Sequence, residues 1–563
     1  MHILVHNELE ISLEEIPSHL LSEIIENCTY KNPEYYKAKG MGYWPKCDNK
    51  ISNYTLNRDK GKLFIPRGKM SDLRQILQAF EIEYKCIDTR FSRKMDIDLN
   101  YDSSIELWED QQDLLDTIIR KENVLVRGGC GIGKTEIAIK FIDKVRENTL
   151  VIVWSEELFE QWISRLADRF NMKESQIGKI KSGKKESFEP ITVALNKTLY
   201  NRLKTSKYRK EISNYFGAVI CDEVQRFAAN TFYDVVSPFP AKYRIGVSED
   251  ETRKDGKEFL IYDLFGHCAH EVSISNLEDK GIVHRVPIYV VPTELRDDIY
   301  ENPPLLCRYC KKEYDPMTII TEAIPPYNER YLMTGDPCPN PRKGGKCGKR
   351  LVVNKDYHGV LNTIIDSDER HQIIANIAKD EVDEDNMLVI FSDRIPMCER
   401  VSEILTENGI SNGIISADTK YKKLKSSTIQ EARDGKIKAL IGTSTIYQGL
   451  DVPRLNRGIT TIPKATNYQQ LSQQMGRLRR PERNCGICKK RIDQTHEDVA
   501  NFTGPTVCPH CGVKHKYDAK LYYIWDRHVF PKHLGLLTKH FTDVFVLVDG
   551  VYITAKEYIK KGK

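Results

Sequence analysis

No run in the sequence approaches the roughly 18 consecutive apolar residues that a spanning helix needs. The opening residues, Met1 to Val5, also lack a charged segment followed by a long apolar core. Membrane insertion and secretion are therefore not indicated, and a cytoplasmic protein is expected, or a nuclear one in a eukaryotic cell. An excess of one charge is missing too: 85 Lys and Arg stand against 80 Asp and Glu, a net charge of +5 over 563 residues. Any basic groove for nucleic acid must be local. Evenly scattered cysteine is likewise absent, because eight of the fifteen cysteines gather in two clusters that contain C-x-x-C. In a large intracellular chain such clusters point to metal sites rather than disulfides. The length and the 40% hydrophobic content suffice for three or four units.

What is present centres on Gly128-Gly129-Cys130-Gly131-Ile132-Gly133-Lys134-Thr135, an ungapped G-x-x-x-x-G-K-[ST] phosphate-binding loop. It follows Asn123-Val-Leu-Val126, which reads as a buried strand, and opens Glu136 to Ile142, whose apolar spacing is helical. The glycines let consecutive backbone N–H groups converge on phosphate oxygens at a helix N-terminus, where anions are favoured. Lys134 is expected to reach the β- and γ-phosphates of ATP and Thr135 to bind Mg²⁺. Upstream, in Leu107 to Leu115, the amide of Gln111 offers a donor and an acceptor together and suits an adenine edge.

Strand and helix alternate beyond the loop, as in a parallel α/β sheet. Leu150 to Trp154 reads as a strand and Ser155 to Leu166 as a capped amphipathic helix. Ala218-Val-Ile-Cys-Asp-Glu223 is a buried strand ending in two carboxylates, at the end of such a sheet where ligands bind. Asp222 is expected to hold Mg²⁺, and Glu223 to orient or deprotonate the attacking water. Before the loop, Tyr54 to Pro66 reads as two short strands around a polar turn, followed by a helical pattern through Leu73, Ile76, Leu77 and Phe80. Lys60, Lys62, Arg67 and Lys69 are open to two readings there, phosphate contacts or a solvated basic face.

Three further blocks complete an ordered set: Ile245-Gly-Val-Ser248 through Arg253-Lys-Asp-Gly256, Ala439 to Pro453, and Gln473-Gln-Met-Gly-Arg-Leu-Arg-Arg480. Together with the loop and Asp222-Glu-Val-Gln225, they resemble superfamily-two DNA helicases and translocases of the XPB and phage UvsW type, over residues 105 to 480 or so. The resemblance implies two tandem RecA-like domains with ATP in the cleft between them and DNA across both. It gives Gln111 the adenine-sensing role, Gly449 and Asp451 a role in coupling the second domain to nucleotide, and Gln473, Arg477 and Arg480 a place facing the phosphates. Arg479 is open to a backbone-phosphate role. Two positions depart from the family pattern. Ser248-Glu249-Asp250-Glu251 stands where Ser/Thr-Ala-Thr-Pro is usual, and Gln225 stands where the nearest relatives have histidine, with an amide able to bond across the cleft.

Cys307, Cys310, Cys338 and Cys347 form one expected Zn²⁺ site, with an eight-residue gap between the last two. Cys485, Cys488, Cys508 and Cys511 form a second, with the spacing of a zinc ribbon, in which Lys489, Lys490, Arg491, Lys514, His515 and Lys516 suit nucleic acid. Lys520 to Asp526 reads as the strand that resumes the domain, and Val544 to Thr554 as a closing hairpin about Asp549-Gly550.

The expected architecture is α/β. It comprises an N-terminal α+β domain at 1–100, a RecA-like domain at 101–290, a linker with a zinc module at 291–356, and a second RecA-like domain at 357–563 with a ribbon inserted at 482–516. The expected activity is ATP-driven helicase or double-strand translocase action on forks, branched DNA or R-loops in replication, recombination or repair. Its partners would be branched, duplex or single-stranded DNA and proteins of those pathways. Remodelling of transcription complexes and a zinc-containing DNA scaffold with a nucleotide-gating ATPase stand as alternatives. A compact core with added zinc modules suits a phage or large virus, hence the host cytoplasm.

Overall fold

The computed structural model describes the chain apart from residues 41–42, 103–106, 129–131, 183–186, 228, 250–252, 254, 273–277, 279–284, 296–304, 308, 315–337, 339, 343–344, 349–350, 354–356, 384–385, 393, 444–445, 447–451, 453–454, 463–467, 479–518, 531 and 562–563. The chain divides into two compact units, Met1–Lys280 and Gly281–Lys563.

The first unit contains two larger sheets and a two-stranded one, Thr29–Lys31 with Lys50–Ser52. β1 (His2–Val5), β2 (Glu8–Ser12), β3 (Thr55–Asn57), β4 (Lys62–Pro66) and β5 (Lys85–Asp88) lie in the order β3-β4-β2-β1-β5. Period-two patterning builds it: Leu9 and Ile11 of β2 and Leu63 and Ile65 of β4 are buried, with half-exposed residues between them. Helices α1 (Ser18–Asn27) and α2 (Met70–Ala79) supply Leu20, Ile24, Leu73 and Leu77 to the same core.

The four basic residues of this region do not make one free basic face. Arg67 donates to the Ala241 carbonyl at 2.7 Å and to Asn123 Oδ1 at 2.8 Å, and Lys69 pairs with Asp72 at 2.8 Å, both buried. Lys62 pairs with Glu10, and Lys60 stays exposed. The reading of Arg67 and Lys69 as phosphate contacts is thus corrected: they sit where the chain packs on the next sheet, which local spacing does not reveal.

That sheet has seven strands: β6 (Asn123–Gly128), β7 (Thr149–Val153), β8 (Gly178–Ile180), β9 (Ile191–Leu195), β10 (Ala218–Asp222), β11 (Tyr243–Ser248) and β12 (Cys268–Val272). The order is β8-β9-β7-β10-β11-β6-β12, and every neighbouring pair is parallel. Strands buried on both faces explain the unbroken apolar runs in β7 and β10. The site uses α3 (Glu109–Lys121), α4 (Lys134–Val145) and α5 (Glu156–Arg169), the last capped by Ser155, which accepts from Leu158 N–H at 3.3 Å.

The second unit carries an eight-stranded sheet of β13 (Ile288–Thr293), β14 (Met387–Phe391), β15 (Asn412–Ile415), β16 (Ala439–Gly442), β17 (Leu455–Thr460), β18 (Lys520–Asp526), β19 (Val544–Val548) and β20 (Val551–Thr554). The order is β15-β16-β14-β17-β18-β13-β19-β20, parallel up to an antiparallel β19–β20 hairpin. Asp549 (φ 49°) and Gly550 (φ 82°) turn that hairpin through positive φ, as two-residue turns prefer. β18 lies between β17 and β13, as a strand that resumes the domain must. One boundary is corrected. β13 belongs to this second sheet, so the expected end of the first domain at 290 and a linker starting at 291 do not hold. Its partner Leu521 is far away in sequence, and a lone apolar run carries no signal of which sheet it joins.

Candidate active site

Adjacent parallel strands bring three motifs of the first unit to one sheet edge. β6 ends at Gly128, β10 at Asp222 and β11 at Ser248, with Ser248 opposite Arg127 and Asp222 opposite Val247. This carboxyl edge is where ligands bind in open parallel sheets. Gly133, at φ 79°, makes the left-handed step into α4, and Lys134 Nζ donates to the Gly128 carbonyl at 2.8 Å. Thr135 follows in the first turn of α4; Ile132 is buried, and Gly129, Cys130 and Gly131 lie outside the described residues.

Gln111 is buried in the first turn of α3 and bound to the loop itself. Its Nε2 donates to the Ile132 carbonyl at 2.7 Å, and its Oε1 accepts from Trp108 N–H at 3.0 Å. A Cβ on Gly133 would come within 2.7 Å of that Nε2. An adenine edge would have to share or displace these bonds.

Asp222 is 6% exposed and accepts from Trp162 Nε1 on α5 at 2.9 Å. Burial, and then the charge of Glu223, push its carboxyl up to about 6, against the pull of the Trp162 bond and the Lys134 charge. The neighbouring Glu223 holds a left-handed backbone, φ 58°, a conformation costing a non-glycine residue about 1 kcal/mol. Its carboxylate accepts from Gln225 Nε2 at 2.6 Å, and Gln225 Oε1 accepts from Ser248 Oγ at 2.6 Å. A hydrogen-bonded line therefore runs from the end of β11 to Glu223. Each end of the Gln225 amide makes a bond inside the first unit. Neither Trp162 nor this line was legible in sequence: a tryptophan at an apolar helix position reads as core, and Ser248 reads as the start of an acidic run.

In the second unit Gln473 and Arg477 are half-buried on α6 (Tyr468–Leu478). α6 lies against β17, where a Cβ on Gly458 would meet Leu478 at 2.8 Å and Thr460 Oγ1 donates to buried Gln474 at 2.7 Å. Gly449, Asp451, Arg479 and Arg480 lie outside the described residues.

Cys307, Cys310, Cys338 and Cys347 bring their sulfurs within 4.8 Å of one another. Cys307 and Cys310 sit on the turn between strands Leu305–Leu306 and Glu313–Tyr314. The eight-residue gap between Cys338 and Cys347 is taken up by the small hairpin of Pro341–Arg342 with Gly345–Lys346. Cys307 and Cys347 sulfurs are 3.5 Å apart, and those of Cys310 and Cys338 3.6 Å. These are far beyond a disulfide bond and close to the about 3.8 Å that Zn–S bonds of about 2.3 Å impose on a tetrahedron. Four thiols leave no open position for water. Cys485, Cys488, Cys508 and Cys511, and the basic residues among them, lie outside the described residues.

Residues 104–248 match the family "Type III restriction enzyme, res subunit", and residues 369–482 the "Helicase conserved C-terminal domain". The chain is 30% identical over 241 residues to the probable helicase D10 of Escherichia phage T5, covering 40% of this chain and 49% of that protein. It is 22% identical over 429 residues to the DNA 3'-5' translocase XPB2 of Sulfurisphaera tokodaii, covering 74% of this chain and 90% of that protein. The match thus spans about half the length of the phage relative. The crystal structure of phage T4 UvsW aligns over 97% of this chain and 99% of that one at 12% identity, with a TM-score of 0.38, and the fold rests on strand order alone. The two domain matches stand in this order, one on each parallel sheet, and with these relatives they make the chain similar to helicases and translocases of the XPB type.

Proposed function

We propose that the protein hydrolyses ATP to move on DNA, remodelling forks, branched intermediates or R-loops. The observation that carries this is the meeting of Lys134, Asp222 and Glu223 at one sheet edge, with Asp222 close enough to Lys134 to feel its charge. Lys134 holds the β- and γ-phosphates, freed from the Gly128 carbonyl when they arrive. Asp222 and Thr135 would hold Mg²⁺, which would supply positive charge beside the transferring phosphoryl group. Glu223 takes the proton of the attacking water, with Gln225 and Ser248 fixing its carboxylate. The resemblance gives Gln473, Arg477, Arg480, Gly449 and Asp451 of the second unit nucleotide roles, an arginine among them stabilising the charge that develops in transfer.

Cys307, Cys310, Cys338 and Cys347 hold a structural zinc ion, and Cys485, Cys488, Cys508 and Cys511 a second. Among the described residues no helix is long and apolar enough to cross a membrane, and the proposed setting is the cytoplasm. The test is steady-state ATP hydrolysis by the full chain with no nucleic acid, single strands, duplex, a branched junction and RNA. Stimulation by duplex or branched DNA that vanishes in Lys134→Ala and Arg480→Ala is expected. Hydrolysis indifferent to every DNA would overturn the motor reading.

A further inference from the structure

The short strands Thr29–Lys31 and Lys50–Ser52 pair antiparallel, and the chain between them makes an excursion whose ends are tied together. Asn32 Nδ2 donates to the Asp48 carbonyl at 2.8 Å, and Asn32 N–H to the Asn49 carbonyl at 3.0 Å. Its helix, Pro33–Gly40, buries none of its residues. The root is fixed to the block that follows β11: Glu34 pairs with Lys257 at 2.7 Å, and a Cβ on Gly256 would meet the Pro33 ring at 3.3 Å. Tyr43 N–H returns to the Ala38 carbonyl at 2.9 Å, folding the tip against the end of the helix.

At that tip Trp44 is 92% exposed and Tyr43 59%, and Tyr36 on the helix is 45% exposed. Aromatic rings carry large apolar surfaces whose burial is worth much. Three left in water on one anchored excursion are poorly accounted for by packing within the unit. The surrounding charge says what they suit. Lys31, Lys37, Lys39, Lys46 and Lys50 stand against only Glu34 and Asp48, and Glu34 is already neutralised by Lys257. Protein interface cores are depleted in lysine, whereas lysines interleaved with exposed aromatics suit a strand whose bases stack and whose phosphates need cations.

We infer that Trp44, Tyr43 and Tyr36 form a stacking platform for the unpaired bases of single-stranded DNA, whose phosphates meet Lys37, Lys39 and Lys46. The inference rests on the proposed DNA motor for the identity of the strand and adds the state in which that strand is held. The root lies on the Asp255 to Lys257 block beyond β11, so the platform is carried by the same unit as Lys134 and Asp222.

The test uses the full chain, oligo(dT) and a duplex of equal length. Tryptophan fluorescence of the wild type minus that of Trp44→Phe should be quenched by oligo(dT), because base stacking quenches an exposed indole. Trp44→Ala should weaken oligo(dT) binding about fivefold or more, with the salt dependence unchanged. Lys37→Ala with Lys39→Ala and Lys46→Ala should instead flatten the salt dependence. Hydrolysis without nucleic acid should be the same in all variants, which reports intact folding. Unchanged oligo(dT) affinity in Trp44→Ala, or equal losses on duplex and single strand, would overturn the platform. A wild type stimulated by DNA with Trp44→Ala indistinguishable from it sinks the platform alone. A wild type quenched by oligo(dT) but never stimulated by DNA sinks the motor reading alone.

Discussion

Replacing Trp162 by phenylalanine separates packing from chemistry at Asp222. The indole is 2% exposed, and its Nε1 lies 2.9 Å from Asp222 Oδ2, so Trp162→Phe keeps most of the ring volume and deletes one charge-assisted hydrogen bond. Such a bond is worth about 1.5–3 kcal/mol, which converts to about a 10- to 150-fold effect at 1.4 kcal/mol per decade. The Asp222 carboxyl, raised to about 6 by burial and by Glu223, loses one of the contacts that hold it down and rises further. The sign follows from linkage. A carboxyl whose folded value exceeds its unfolded value adds stability below the unfolded value and loses it as pH rises through about 6. Magnesium binding runs the opposite way, because it needs the carboxylate, and weakens as pH falls below about 6. In Trp162→Phe, half-saturation by Mg²⁺ in ATP hydrolysis should rise about 10- to 100-fold at neutral pH, with the acid limb of the pH profile moved upward. An unchanged Mg²⁺ requirement and pH profile with only a lowered Tm would show that Trp162 is core and nothing more.

Gly133→Ala combines a strained backbone at φ 79° with a Cβ 2.7 Å from Gln111 Nε2. It should cost about 1–3 kcal/mol of stability and abolish ATP binding, read by calorimetric titration with a nucleotide analogue. The full chain should carry two zinc equivalents by elemental analysis, and Cys307→Ser should carry one. Two equivalents in the variant would remove Cys307 from the ligand set. Arg67→Ala deletes bonds to the Ala241 carbonyl at 2.7 Å and Asn123 Oδ1 at 2.8 Å within a buried contact, and should lower stability by at least about 3 kcal/mol. Its DNA binding should keep the same salt dependence; a slope reduced by about one would restore Arg67 as a phosphate contact.

What could be read from the sequence divides along a physical line. Motifs whose chemistry is local were legible: the loop through Thr135 with its strand and helix, the acid pair at the end of β10, the Asp549-Gly550 hairpin and the strand Lys520–Asp526. Each depends on spacing within one or two elements. The parts that failed depend on partners distant in sequence. β13 finds its sheet through Leu521, and Arg67 and Lys69 pass from candidate phosphate ligands to buried contacts because Asn123 and the Ala241 carbonyl accept from Arg67 while Asp72 and Asp263 lie at Lys69. The hairpin that fills the eight-residue gap between Cys338 and Cys347 is not visible in local spacing.

The end of β11 shows how such distant pairing can change the meaning of a motif. Read alone, Ser248-Glu249-Asp250-Glu251 puts acids where small or hydroxylated residues are usual, and it underlies the alternative of a nucleotide-gated scaffold. In the fold, Ser248 is buried, and its hydroxyl begins the line through Gln225 to the carboxylate of Glu223, with both bonds at 2.6 Å. The serine hydroxyl, which the chain retains, thus reaches the acid pair through Gln225. Gln225 gains a specific role as well, since its amide donates to Glu223 and accepts from Ser248 at once, a pairing that a neutral imidazole matches only in one tautomer. A side chain that fits both neighbours without titrating near neutral pH fixes Glu223 over a wide pH range. Gln225 thus departs from the family pattern while joining the retained serine to Glu223 in one hydrogen-bonded line.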